Sequence, residues 1–79
     1  MGLSDLPSAS GREHVKVLCT FFGWHERKAK NGHIILKKDG VAAILSIPDH
    51  RIVKRTLLSR ELAKAGIDDS EYCAKFKSR

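Results

Sequence analysis

Asn31-Gly32-His33-Ile34-Ile35-Leu36-Lys37-Lys38-Asp39-Gly40 is the stretch that decides the fold. Asn-Gly tolerates positive φ at both positions and is the strongest short hairpin signal a sequence carries. Asp39-Gly40 is a second tight-turn dipeptide. Between them lies a strand, read over 33–38, rich in β-branched residues. Strand alternation sets His33, Ile35 and Lys37 on one face and Ile34 and Leu36 on the other. Residues 24–30, which mix charges with Trp24 and Ala29, are the strand before the first turn. Residues 41–47 are the strand after the second, stopped by Pro48, which has no N–H to give a ladder. Two tight turns joining three strands predict an antiparallel meander.

Helices flank the meander. Ser10 with Glu13 three residues on is a capping box, and Val15, Leu18, Cys19 and Phe22 recur at i, i+3, i+4 and i+7. Gly23 follows, where a left-handed helix cap belongs. The loop 49–55 is basic. Thr56 is placed to cap a second helix whose Leu58, Leu62 and Ala65 share a face and which Gly66 ends. Asp68 with Glu71 opens a short last helix bearing Tyr72, Cys73 and Phe76. The order predicts an α+β two-layer domain, helices on one face and the other sheet face open. Residues 1–9, with Pro7, read as a loose leader, and 10–79 as one domain.

The chain has 79 residues, enough for one thin core. It is 42% apolar and 30% charged, which argues against wholesale disorder. Its longest unbroken apolar run is 41–45, far short of a membrane span, and the first residues lack the basic-then-apolar pattern of a secretory signal. Cys19 and Cys73 are too sparse for a disulfide framework and read as reduced core thiols of a cytoplasmic protein, a single bridge between two helices being the minority alternative. The net charge is +6. Residues 24–60 hold nine Lys and Arg against three Asp and Glu, so this block carries the whole excess. A block of that kind suits a polyanion, of which nucleic acid is the commonest, although an acidic protein or a merely solvated face has the same composition.

Few residues offer chemistry. No Walker or dinucleotide glycine spacing occurs, and no Ser, Cys or Lys stands in a local nucleophile signature. His14, His25, His33 and His50 show neither CxxC nor HxxxH spacing, so no metal site is expected. His14, in the first helical turn, reads as a surface residue. His25 and His50 are weaker candidates: His25 beside Trp24 also reads as the partner of a buried hydrogen bond, and His50 in the basic loop is placed to contact phosphate or assist acid–base work. His33 is the distinctive one. It follows the Asn31-Gly32 turn directly, with Arg27, Lys28 and Lys30 before it and Lys37 and Lys38 after it. An imidazole titrating near neutrality can take a proton from a ribose 2′-hydroxyl while nearby cations stabilise the pentacoordinate phosphate, with no metal needed.

The order and spacing of these features resemble the HicA (YcfA-like) mRNA interferase toxins. The resemblance rests on the helix ending at Phe22-Gly23, Arg27-Lys28-Ala29-Lys30-Asn31-Gly32-His33-Ile34, the Asp39-Gly40 turn and Ile47-Pro48. It continues through Thr56-Leu57-Leu58, Ala65-Gly66-Ile67 and the acidic stretch 68–71, and so runs from about Ser10 to about Phe76. It implies a double-stranded-RNA-binding-domain-like α-β-β-β-α fold with a helical tail. It also implies endoribonuclease cleavage of mRNA by a single histidine, here His33, and a HicB-type antitoxin that covers the site. Two places depart from the family. Lys30 and Asn31 stand where many members have Gly-Ser, and Lys54-Arg55 replaces a small pair before the second helix.

On this reading Lys28, Lys30 and Lys37 hold phosphate, with Arg51 a further candidate. The partners are RNA and the antitoxin, with neither a small-molecule cofactor nor a membrane. The alternative on the same scaffold is a noncatalytic RNA-binding module, for which His33 matters little.

Overall fold

A computed structural model describes residues 6–79. The elements run α1 (Gly11–Phe22), β1 (His25–Glu26), β2 (His33–Lys37), β3 (Leu45–Pro48), α2 (Arg55–Ala65) and α3 (Asp69–Ser78). The strands form one antiparallel sheet in the order β1-β2-β3. Helix α1 lies across all three strands, α2 packs against β3, and α3 packs on α1. The predicted α+β order of helix, three antiparallel strands and two further helices is therefore the observed one.

Ser10 caps α1 by accepting the Glu13 amide at 3.2 Å, and Gly23 closes the helix at φ 77°. Asp68 caps α3 through the Ser70 amide at 3.0 Å. Helix α2 begins one residue before the expected Thr56 cap. Lys54 is its N-cap and makes no side-chain cap bond. Arg55 instead donates from Nε to the Leu6 carbonyl at 2.8 Å. That bond ties down the segment expected to be a loose leader. Leu6 and Ala9 are buried, and the Ala9 carbonyl accepts from Val53 at 2.9 Å. Residues 6–9 thus belong to the domain, while residues 1–5 of the expected leader lie outside the described residues.

The third strand is shifted from its expected place. Val41 and Ile44 are exposed and lie in the irregular segment before it, and Pro48 is its last residue rather than the stop beyond it. The pairing explains why a proline is accommodated. His33 opposes Pro48, but the His33 amide and carbonyl are both bonded to Lys30, each at 2.9 Å. The pair is a non-hydrogen-bonded one, so no N–H is asked of Pro48. The outer edge of β3 is blunted as well: the buried Glu61 carboxylate of α2 accepts the Ser46 amide at 2.8 Å and is held by Lys64 at 2.9 Å.

Ile34, Leu36, Leu45 and Ile47 form the buried sheet face, against Val15, Val17 and Leu18 of α1 and Leu58 and Leu62 of α2. Gly11 is buried where α1 crosses the end of β3. A Cβ there would fall on the Pro48 carbonyl, so only glycine permits this approach. His14 is fully buried, contrary to its expected surface position. Its Nδ1 lies 2.6 Å from the Tyr72 hydroxyl, the Phe76 ring packs against it at 5.5 Å, tilted by 41°, and Nε2 has no partner among the described residues. Periodicity missed it because His14 precedes Val15 on the same stripe but is polar. Burial lowers its pKa to about 4 and pushes the Tyr72 phenol up, so both are neutral near pH 7.

Two outcomes follow from this packing. Gly11→Ala should lose about 1–3 kcal/mol in urea unfolding through overpacking. His14 binds a proton in the unfolded chain below about pH 6.5 but in the fold only near pH 4. Its contribution is therefore intact above pH 6.5 and is lost as the pH falls through that window, to a total of roughly 3 kcal/mol. The urea midpoint followed against pH reports this, and His14→Met, which cannot titrate, should flatten the fall.

Candidate nucleic-acid interface

The turn that presents His33 is a two-residue hairpin loop. Asn31 and Gly32 have φ 51° and 75°, the pair of positive values that such a loop requires. The reciprocal bonds between Lys30 and His33 close it. Directly opposed residues leave a sheet on the same side, so Lys30 and His33 are neighbours on one face. Burial along β2 alternates as predicted, with Ile34 and Leu36 buried and His33 and Lys37 exposed. The His33 ring therefore stands on the face away from the helices. Its Nδ1 lies 3.2 Å from the Asn31 carbonyl.

Counting back from the turn with regular pairing would set Lys28 opposite Ile35. The register is different. Arg27 donates to the Ile35 carbonyl at 2.7 Å, and His25 opposes Lys37. Two residues, Lys28 and Ala29, thus face Ile34 alone, which makes a bulge. This is why the strand read over 24–30 reduces to His25–Glu26 and an isolated bridge at Lys30. It also exchanges the residues on the face: Arg27 and His25 join His33, Ile35 and Lys37, while the pairing leaves Lys28 unassigned. Glu26 goes to the helix side, where Arg12 of α1 holds it at 2.8 Å.

The phosphate-binding candidates therefore divide. Lys30 is adjacent to His33. Lys37 shares the face but stands four residues along β2, about 13 Å away at strand spacing, beside His25. Arg51 is exposed in the loop after β3, at the same end of the sheet as the turn, since the Asp49 amide bonds the Gly32 carbonyl at 2.8 Å. His25 is exposed rather than a buried hydrogen-bonding residue, and His50 is exposed near Arg51 with its carbonyl taken by Gly11. Arg27 was missed as a site residue, and His25 was ranked below His33, because a bulge leaves no mark in composition.

Charge is sorted by face. Arg12 lies 2.8 Å from Glu26 and 3.8 Å from Asp49, engaging two of the three acidic residues of the basic block. Among the described residues, Arg27, Lys28, Lys30, Lys37 and Arg51 have no ion-pair partner. Grooves of about 420 Å³ beside Asp68 and about 460 Å³ beside Phe21 lie elsewhere, and His33 stands on the open sheet instead. Cys19 and Cys73 form no disulfide, and burial raises the Cys19 thiol, which does not favour a thiolate. No cluster of three or more His, Cys, Asp or Glu able to hold a metal occurs among the described residues, nor is any described helix long and apolar enough to cross a membrane.

No family model matches the chain, and neither a curated protein nor a solved structure is significantly similar to it. What the site can do rests on its own geometry: a polyanion laid across the face meets cations that have no ion-pair partner among the described residues, and an imidazole at one end. Arg27→Ala should therefore shorten retention on a heparin column more than Lys28→Ala does. Equal losses would show that the bulge does not select the face.

Proposed function

We propose that this protein is a small endoribonuclease that cleaves RNA without a metal, with His33 as its general base. The observation that carries the reading is an exposed imidazole beside Lys30 on a sheet face whose cations have no ion-pair partner among the described residues. In the step proposed, His33 takes the proton of a ribose 2′-hydroxyl. The O2′–P bond forms, the P–O5′ bond breaks, and a 2′,3′-cyclic phosphate and a 5′-hydroxyl result. Lys30 stabilises the charge that develops on the phosphate. One imidazole cannot be base and acid in the same cleavage, so the leaving oxygen takes its proton from a second donor: His50, a lysine or water. Arg27, Lys37 and Arg51 hold flanking phosphates.

The broader assignment is the toxin of a HicA-type toxin–antitoxin pair, acting in the cytoplasm on mRNA. Its fold would be of the double-stranded-RNA-binding-domain kind. The element order and the position of His33 directly after the hairpin turn support it. A HicB-type antitoxin would bind by covering the cationic face.

Purified protein incubated with RNA tests the reading. Cleavage should persist in a chelator and fall by about 10²-fold or more in His33→Ala, the loss expected on removing a general base. Wild-type cleavage by the variant removes the assignment. Intact RNA with a mobility shift that weakens steeply with salt would make the protein a noncatalytic RNA-binding module instead.

A further inference from the structure

The contact between His33 Nδ1 and the Asn31 carbonyl has a chemical direction. A carbonyl oxygen accepts hydrogen bonds and has no proton to donate. A hydrogen bond across this 3.2 Å contact therefore requires the proton on Nδ1. In a neutral ring that leaves Nε2 bare. A free histidine side chain in water favours the opposite form, with the proton on Nε2, so the turn works against the intrinsic preference.

We propose that the Asn31 backbone carbonyl is a positioning group that holds His33 in the Nδ1–H form, so that Nε2 is the nitrogen offered to substrate. The use of that nitrogen as a base rests on the functional reading above; the protonation pattern does not. The geometry behind it is local and over-determined. Both turn residues have positive φ, and the reciprocal 2.9 Å bonds of Lys30 and His33 fix the loop ends. The carbonyl of the first turn residue is thereby held against the ring of the residue after the turn. A partner on the far nitrogen that sets which nitrogen reacts is a recurrent way of tuning imidazoles.

The chemistry is consistent at each stage. Before the reaction Nδ1–H bonds the carbonyl and Nε2 carries the lone pair. As Nε2 takes the 2′-hydroxyl proton the ring becomes an imidazolium, and the same carbonyl, now accepting a charge-assisted bond, stabilises it. The Nδ1 proton is never transferred. The requirement on residue 31 is thus a backbone one: a residue that accepts φ near 51°, as Asn does.

Long-range proton–nitrogen correlation spectra of ¹⁵N-histidine-labelled protein, recorded at alkaline pH, test this directly. His33 should show the Nδ1–H pattern, while the exposed His25 and His50 show the Nε2–H pattern. An Nε2–H pattern at His33 overturns the proposal, whatever the protein does to RNA. Two valine variants separate the turn from general strain. Gly32 and Gly40 have nearly equal φ, 75° and 78°, and open space where a side chain would go. Gly32→Val should shift His33 toward the pattern of the other exposed rings and lower RNA cleavage on the order of tenfold. Gly40→Val should change neither. If the Nδ1–H pattern is present and wild-type protein leaves RNA intact, the positioning stands and the ribonuclease reading fails. If cleavage is robust and the pattern absent, the reverse holds.

Discussion

The reciprocal pair of hydrogen bonds between Lys30 and His33 is the constraint on which the remaining geometry depends. It closes the Asn31-Gly32 loop and turns the His33 amide and carbonyl toward β1. That orientation makes His33 and Pro48 a non-hydrogen-bonded pair, which lets a proline end β3. Alternation then carries the pattern along both strands. Ile35 bonds Arg27 on one side, and Ser46 opposite it turns its amide outward to Glu61 on the other. A slip of one residue between β2 and β3 would put Ile34 and Leu36 on the opposite face from Leu45 and Ile47, so the core and the loop enforce one register.

The same register separates the two sheet faces chemically. The helix side is apolar, with Glu26 at its border engaged by Arg12. The outer side carries His33, Lys30, Arg27 and Lys37 around Ile35 and Ser46. Exposed ion pairs like those of Arg12 add little stability. Their consequence here is electrostatic. By drawing Glu26 and Asp49 toward Arg12, they leave Arg27, Lys30 and Lys37 without an ion-pair partner among the described residues and so available to a polyanion.

Much of the architecture was legible because it depends on local chemistry. Asn31-Gly32, the Ser10 and Asp68 caps and the glycines after α1 and α2 mark element boundaries by backbone requirements that few residues satisfy. The alternation of β2 was legible for the same reason. What could not be read depends on contacts distant in sequence. The bulge at Lys28-Ala29 moved Arg27 and His25 onto the open face, the bond from Arg55 to Leu6 drew in the supposed leader, and α3 buried His14. None of these has a signature within a window of a few residues. The prominence of His33 after its turn was local and visible, but its hydrogen bond to the Asn31 carbonyl was not.

Helix α3 shows how such a distant contact shapes the domain. Tyr72 and Phe76 enclose His14, and Arg79 at the end of the helix reaches back to Glu13 at 2.9 Å while its guanidinium lies 3.9 Å over the Phe76 ring. That carboxylate also accepts from the Ser10 hydroxyl at 3.4 Å, and the Arg79 bond is the main reason its pKa is lowered. The start of α1 is thus held from two sides, by α3 through Glu13 and His14 and by β3 through the Gly11–Pro48 approach. Pro48 is also the residue opposite His33. A chain of direct contacts therefore runs from the C-terminal helix through the first turn of α1 to the strand beneath His33. The tail, though remote from the open face, is thereby linked through packing to the sheet end from which the imidazole projects.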